Sequence, residues 1–181
     1  MINVVKTEIP DVLIIEPTVF KDDRGFFLES YNKRDMERAG INAVFVQDNH
    51  VRSIKNVLRG LHYQVSQSQG KLIRVMSGEI FDVAVDIRRS SATFGKWVGI
   101  NISDDNKKIV WIPPCFAHGY LVLSKCADVL YKTTDFYAPQ HERCIRWNDP
   151  EIKIKWPFKG TPIISSKDML GNILSEAEIF P

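Results

Sequence analysis

The chain has little of what marks several large protein classes. Its longest early apolar run, Val12-Leu13-Ile14-Ile15, spans only four residues between Asp11 and Glu16, too short for the core of a signal peptide. Nothing approaches the roughly 20 apolar residues of a membrane span. No run of five basic residues occurs and the formal net charge is only +2, which argues against a nucleic-acid surface and leaves an anionic small molecule as the expected partner. Cysteine is sparse: Cys115, Cys126 and Cys144 are odd in number and lack metal-ligand spacing. That excludes a disulfide framework and fits reduced thiols in a cytoplasmic protein. No Gly-rich nucleotide fingerprint is present, so no redox nucleotide is expected. Nor does any repeat, low-complexity tract or linker divide the chain. With 181 residues, 44% of them hydrophobic, a single domain over residues 1–181 is expected.

What the chain does have is period-two alternation between turn residues. Over Ile80 to Ile87, Phe81, Val83, Val85 and Ile87 share one face, and Asp82, Ala84 and Asp86 the other. Lys71 to Met76, Trp97 to Ile102, Ile109 to Ile112, Gly119 to Leu123 and Val129 to Thr133 read as further strands. Helix is minor: Asn32 to Ala39 supports two turns, capped by Asn32 and stopped by Gly40, and a second short helix starts near Ser165 or Ser166. Pro150, Pro157 and Pro162 suit irregular chain wrapped around a barrel. The fold class is all-β, an antiparallel sandwich or barrel with a few short helices.

Chemistry concentrates in Leu58-Arg59-Gly60-Leu61-His62-Tyr63-Gln64 and the following Gln69-Gly70-Lys71-Leu72. A histidine can remove a proton, an arginine can hold an anion, and a lysine can steady a developing oxyanion. A lone histidine on an apolar strand is commonly a satisfied core residue; its neighbours are what favour function here. Lys71 shares a face with Ile73 and Val75, so its ammonium sits at the rim or inside an apolar barrel. Arg59 and His62 have opposite parity, so one cavity can use both only if Arg59 precedes the strand or Gly60 permits a bulge. His118 follows a proline turn at a strand start, with Asp82 and Asp86 as orienting partners. Tyr131 falls on a face with Val129 and Thr133, either as core or as an acid aimed into a cavity. Tyr137 lies in a loop, able to stack on a base. Asp168 is either a helix-start carboxylate or the partner that holds the tautomer of His62. Arg24 and Gln47-Asp48-Asn49 are loop material that would suit phosphate and sugar ligands.

Together these segments resemble the dTDP-4-dehydrorhamnose 3,5-epimerases. The similarity runs from Arg24 to Asp168. It includes Asp23-Arg24-Gly25-Phe26-Phe27, Gln47-Asp48-Asn49, Leu58 to Gln64, Gln69 to Leu72, Phe81 to Asp86, Phe116-Ala117-His118-Gly119, Tyr131-Lys132 and Lys167-Asp168. The resemblance implies a cupin-type jelly roll acting as a cytoplasmic homodimer without cofactor or metal. It implies inversion of C3 and C5 of dTDP-4-keto-6-deoxyglucose. His62 would be the base, assisted by Asp168, with Tyr131 the acid on the opposite sugar face and Lys71 beside the enolate. Arg24, Phe27, Glu29, Gln47, Asn49, Arg59, His118, Tyr137, Glu142 and Lys167 would bind substrate. Cys115 departs from the family's usual glycine, which puts the local turn geometry in question.

Three other readings compete. A metal-dependent cupin oxygenase would carry His-x-His and a nearby acid; here Gln64 takes the second place and Val65 to Gln69 contains no acid. A nucleotide-sugar binding module would not need Tyr131 or Asp168. A single-centre epimerase of a related dTDP-4-keto-deoxysugar would need the same base.

Overall fold

The computed structural model describes residues 2–181. Its strands are β1 (Ile2–Lys6), β2 (Leu13–Pro17), β3 (Val19–Asp22), β4 (Gly25–Leu28), β5 (Gln47–Ile54), β6 (Leu58–Gln64), β7 (Lys71–Ser77), β8 (Glu79–Asp86), β9 (Trp97–Ser103), β10 (Ile109–Ile112), β11 (Phe116–Val122), β12 (Cys126–Thr133) and β13 (Glu142–Cys144). The helices are α1 (Lys33–Arg38) and α2 (Ser166–Met169). Two antiparallel sheets form, one ordered β1-β2-β10-β7-β12-β5 and the other β13-β6-β11-β8-β9, with β3 and β4 as a separate hairpin. None of the described helices is long and apolar enough to cross a membrane.

The alternation in β8 explains the layering. Ile80 and Ala84 join Ile73, Val75, Val110, Ile112 and Val129 in a core between the sheets. Val83, Val85 and Ile87 point the other way, into a second core. There Leu61, Tyr63 and Ala117 meet Ile145, Ile152, Leu174 and Ala177 of the C-terminal segment. That segment is therefore the proline-punctuated wrap expected from sequence. It shields one sheet's outer face, each fully buried Ile or Leu contributing about 1.5–3 kcal/mol. A third cluster, around Met36, Ile41, Leu72 and Trp111, places α1 and the loop after it on the other sheet.

Local signals hold where their chemistry is short-range. Asn32 caps α1 by accepting from the Arg34 amide, and Gly40 takes a positive φ of 84° just beyond its end. Ser165 caps α2 through the Asp168 amide. Elsewhere the sequence expectation is corrected. Gln47-Asp48-Asn49 are not loop but the start of β5, because pairing with Lys132 and Thr133 of β12 satisfies a backbone that alternation alone left unassigned. β11 begins at Phe116, so His118 stands inside a strand rather than at its start.

Candidate active site

The difficulty over Arg59 and His62 resolves in the pairing of β6 with β11. His118 faces His62 and Tyr120 faces Arg59, so three steps on β6 match two on β11. One extra residue in β6 restores the parity and turns both side chains to the same side. Gly60 sits in this bulge at φ 102°, and a Cβ there would stand 2.5 Å from the His118 carbonyl oxygen. Only glycine meets both demands.

A cavity of about 350 Å³ opens here. Its walls come from both sheets: His62, Arg59 and His118 from the five-stranded sheet, and Asn49, Lys71 and Tyr131 from the six-stranded one. Imidazole and phenol thus enter one space from opposite walls. His62 Nε2 lies 2.7 Å from Asp168 Oδ1. Burial pushes the Asp168 carboxyl up, but its bonds with His62 and the Gly60 amide outweigh this and hold it below the ordinary range. An ionised Asp168 accepts, so Nε2 donates and the Nδ1 lone pair is left free to take a proton. His118 makes a parallel bond of 2.7 Å to Asp82. Burial lowers the pKa of His118 despite Asp82, so the ring is a neutral donor or acceptor. Asp86, the other candidate partner, is turned away: it accepts from Arg88, Ser91 and Thr93.

Lys71 is inside the barrel rather than at its rim, 8% exposed. Burial drops its pKa to about 8, against the opposing pull of Asp82 and Glu142. Its Nζ lies 3.4 Å from the His62 carbonyl oxygen, too far for a strong bond, leaving donor capacity for a ligand. Burial raises the pKa of Tyr131, with Arg59 opposing, so the phenol keeps its proton at neutral pH.

At the mouth, the exposed Tyr137 donates its hydroxyl to Glu142 at 2.7 Å, and Lys167 pairs with the same carboxylate. The Tyr137 amide donates to Gln47 Oε1, and Gln47 Nε2 to Asn49 Oδ1. Three expected ligands are not brought to the cavity by this chain. Arg24 is exposed and paired with Asp22, while Phe27 and Glu29 are exposed on and beside the β3–β4 hairpin. The β3–β4 hairpin, a sheet separate from the two main ones, holds Arg24 in its turn and Phe27 on β4, with Glu29 just after it.

Sequence reasoning missed several neighbours, Tyr120 and Cys144 among them. Tyr120 lines the cavity, a fact readable from its period-two relation to His118 once that strand is placed. Cys144 had no such signal; it pairs with His62 only through the β13–β6 register. Burial, then the charges of Asp168 and Glu142, push its thiol up to about 12. Cys115 keeps a positive φ of 69°, the geometry its turn demands, with its amide donating to Ser68 Oγ at 2.8 Å.

Comparison with known proteins converges on the same group. A family model described as dTDP-4-dehydrorhamnose 3,5-epimerase matches residues 6–176. A dTDP-4-dehydrorhamnose 3,5-epimerase of Pseudomonas aeruginosa is 61% identical over 96% of this chain and 96% of its own. One of Shigella flexneri is 57% identical over 98% of this chain and 99% of its own. Among solved structures, a dTDP-6-deoxy-D-glucose-3,5-epimerase from Legionella pneumophila, in complex with dTDP-4-keto-L-rhamnose, superposes with a TM-score of 0.95. It is 50% identical, covering 98% of this chain and 95% of that one. A dyad, a buried lysine and a phenol around one cavity, on a fold shared end to end with such enzymes, leave one assignment: the chain belongs to the dTDP-4-dehydrorhamnose 3,5-epimerase family.

Proposed function

We propose that the protein inverts C3 and C5 of dTDP-4-dehydro-6-deoxy-D-glucose, giving dTDP-4-dehydro-L-rhamnose. The observation that carries this reading is the entry of His62 and Tyr131 into one cavity from opposite sheets. Carbons flanking a ketone are acidic because the carbanion delocalises onto oxygen as an enolate. Inversion then needs a base on one face of the ring and a proton donor on the other. His62 takes the proton at Nδ1, and the resulting imidazolium is stabilised by Asp168 at Nε2. Lys71, cationic below about pH 8, sits where it can offset the negative charge growing on the C4 oxygen. Tyr131 returns a proton from the other face. The diphosphate and base lie away from the reacting carbons, so Arg59, Tyr137, Glu142 and Lys167 spend their contacts on orienting the ring.

A homodimer is part of the proposal. Phe20, Phe26 and Phe27, on the hairpin that also carries Arg24, are 58%, 56% and 69% exposed. Such a cluster favours cover by another surface, and a second copy is the economical one. Light scattering that gives one chain per particle would remove it. The three free cysteines suit the cytoplasm.

The deciding experiment incubates the protein with dTDP-4-dehydro-6-deoxy-D-glucose in deuterated water and locates the label by NMR. Deuterium at both C3 and C5 is the expected result. Label at one carbon would make the enzyme a single-centre epimerase, and no label would make it a binding module.

A further inference from the structure

We propose that His62, Cys144 and Asp168 form an inhibitory site for a borderline-soft divalent cation such as Zn²⁺. The inference rests on His62 being the base. One donor atom from each residue lies within 4.8 Å of the other two. Imidazole nitrogen, thiolate sulfur and carboxylate oxygen are the three ligand types that zinc prefers. At ordinary zinc–ligand lengths, such donors stand about 3.3–3.6 Å apart around a tetrahedral ion. His62 Nε2 and Asp168 Oδ1, now 2.7 Å apart, would have to separate by roughly 0.6 Å to admit it. Cross-strand pairing fixes Cys144 beside His62, and a Cβ on Gly171 would stand 3.1 Å from its Sγ, so glycine there spares the sulfur that crowding. The carboxylates of Asp168 and Glu142, which with burial keep the metal-free Cys144 thiol protonated, also attract a dication, whose binding displaces that proton. The His62 side chain lines the cavity and is 31% exposed, which gives an ion a route to it from solvent.

The inhibition follows from proton bookkeeping on one ring. In the free enzyme the proton sits on Nε2 and Nδ1 is bare. A cation binds Nε2 only as that nitrogen gives up its proton, so the ring proton moves to Nδ1 and the thiol proton is released to solvent. The imidazole then has no lone pair facing substrate. Nothing is oxidised or reduced.

The test measures metal binding separately from catalysis. Equilibrium dialysis with Zn²⁺ should give one tight equivalent per chain in the native protein. Binding should weaken at least tenfold in Cys144→Ser, and likewise in His62→Ala. With Co²⁺ alone, the native protein should show a thiolate-to-cobalt charge-transfer band that Cys144→Ser lacks. Deuterium exchange into the sugar should fall in step with zinc occupancy in the native enzyme. In Cys144→Ser, metal-free exchange should persist and at least tenfold more zinc should be needed to halve it. Equal zinc affinity in the native and Cys144→Ser proteins, or a cobalt complex without the thiolate band, would overturn the site. Zinc bound tightly to the native protein and weakly to Cys144→Ser, while exchange ran undiminished, would overturn the inhibitory role, and would place the fault in the assignment of His62 as base.

Discussion

Lys71→Met should make the protein more stable and nearly inactive. The ammonium is buried, and its pKa stands at about 8 against an ordinary 10.5. A drop of about 2.5 pH units, at about 1.4 kcal/mol each, means that carrying the charge inside the fold costs about 3 kcal/mol at pH 7. Methionine fills similar volume without charge, so denaturant unfolding at pH 7 should show the variant about 3 kcal/mol more stable. For a chain of this size that corresponds to a melting rise of roughly 6–12 °C. The pH dependence carries its own check. Above 10.5 lysine is neutral in both folded and unfolded chains and the penalty is absent. It builds as pH falls from 10.5 to 8 and is complete below 8. The gap between the two proteins should therefore be widest below pH 8 and close towards pH 10.5. Turnover should fall roughly a hundred- to a thousandfold, as for loss of an oxyanion donor. A variant less stable than the native protein at pH 7, or a gap independent of pH, would refute the argument that Lys71 is held charged at a cost.

Asp168→Asn keeps the shape but removes the charge facing the imidazolium. A charge-assisted bond contributes about 1.5–3 kcal/mol, so kcat should drop roughly 10- to 150-fold with KM little changed. Tyr131→Phe should slow product formation more than wash-in of deuterium, since proton removal by His62 survives; rates that fall equally would count against the phenol as acid. Cys115→Gly should raise stability by about 1 kcal/mol in thermal melts, because φ of 69° costs a side chain what it does not cost glycine.

Legibility in the sequence tracked interaction range. Strands β7 to β10, the cap Asn32 and a helix start near Ser165 or Ser166 were readable because alternation and capping act over a few residues. The conflict between Arg59 and His62 was readable as a conflict, and Gly60 as its candidate cure. That the cure was a bulge required the partner strand. β5 and β13 were not legible, since their mixed polar sequences become strands only by pairing with β12 and β6. Cys144 was hidden for the same reason. Periodicity could place Lys71 and Tyr131 on faces, yet which sheet each belonged to was a matter of topology. Arg24, Phe27 and Glu29 show the reverse limit, motifs matched residue by residue whose hairpin is a sheet separate from the two that line this chain's own cavity.

The carboxylate that completes the dyad arrives 106 positions after its histidine, on a wrap fastened by Ile145, Ile152, Leu174 and Ala177. The dyad's two members are thus held by different stretches of polypeptide, the histidine by the barrel and the carboxylate by the wrap. Damage to that fastening would slow turnover, as Asp168→Asn should, at temperatures where the β-sheet circular dichroism is still native. The enzyme would fail first by losing its grip on a single aspartate, well before it melted.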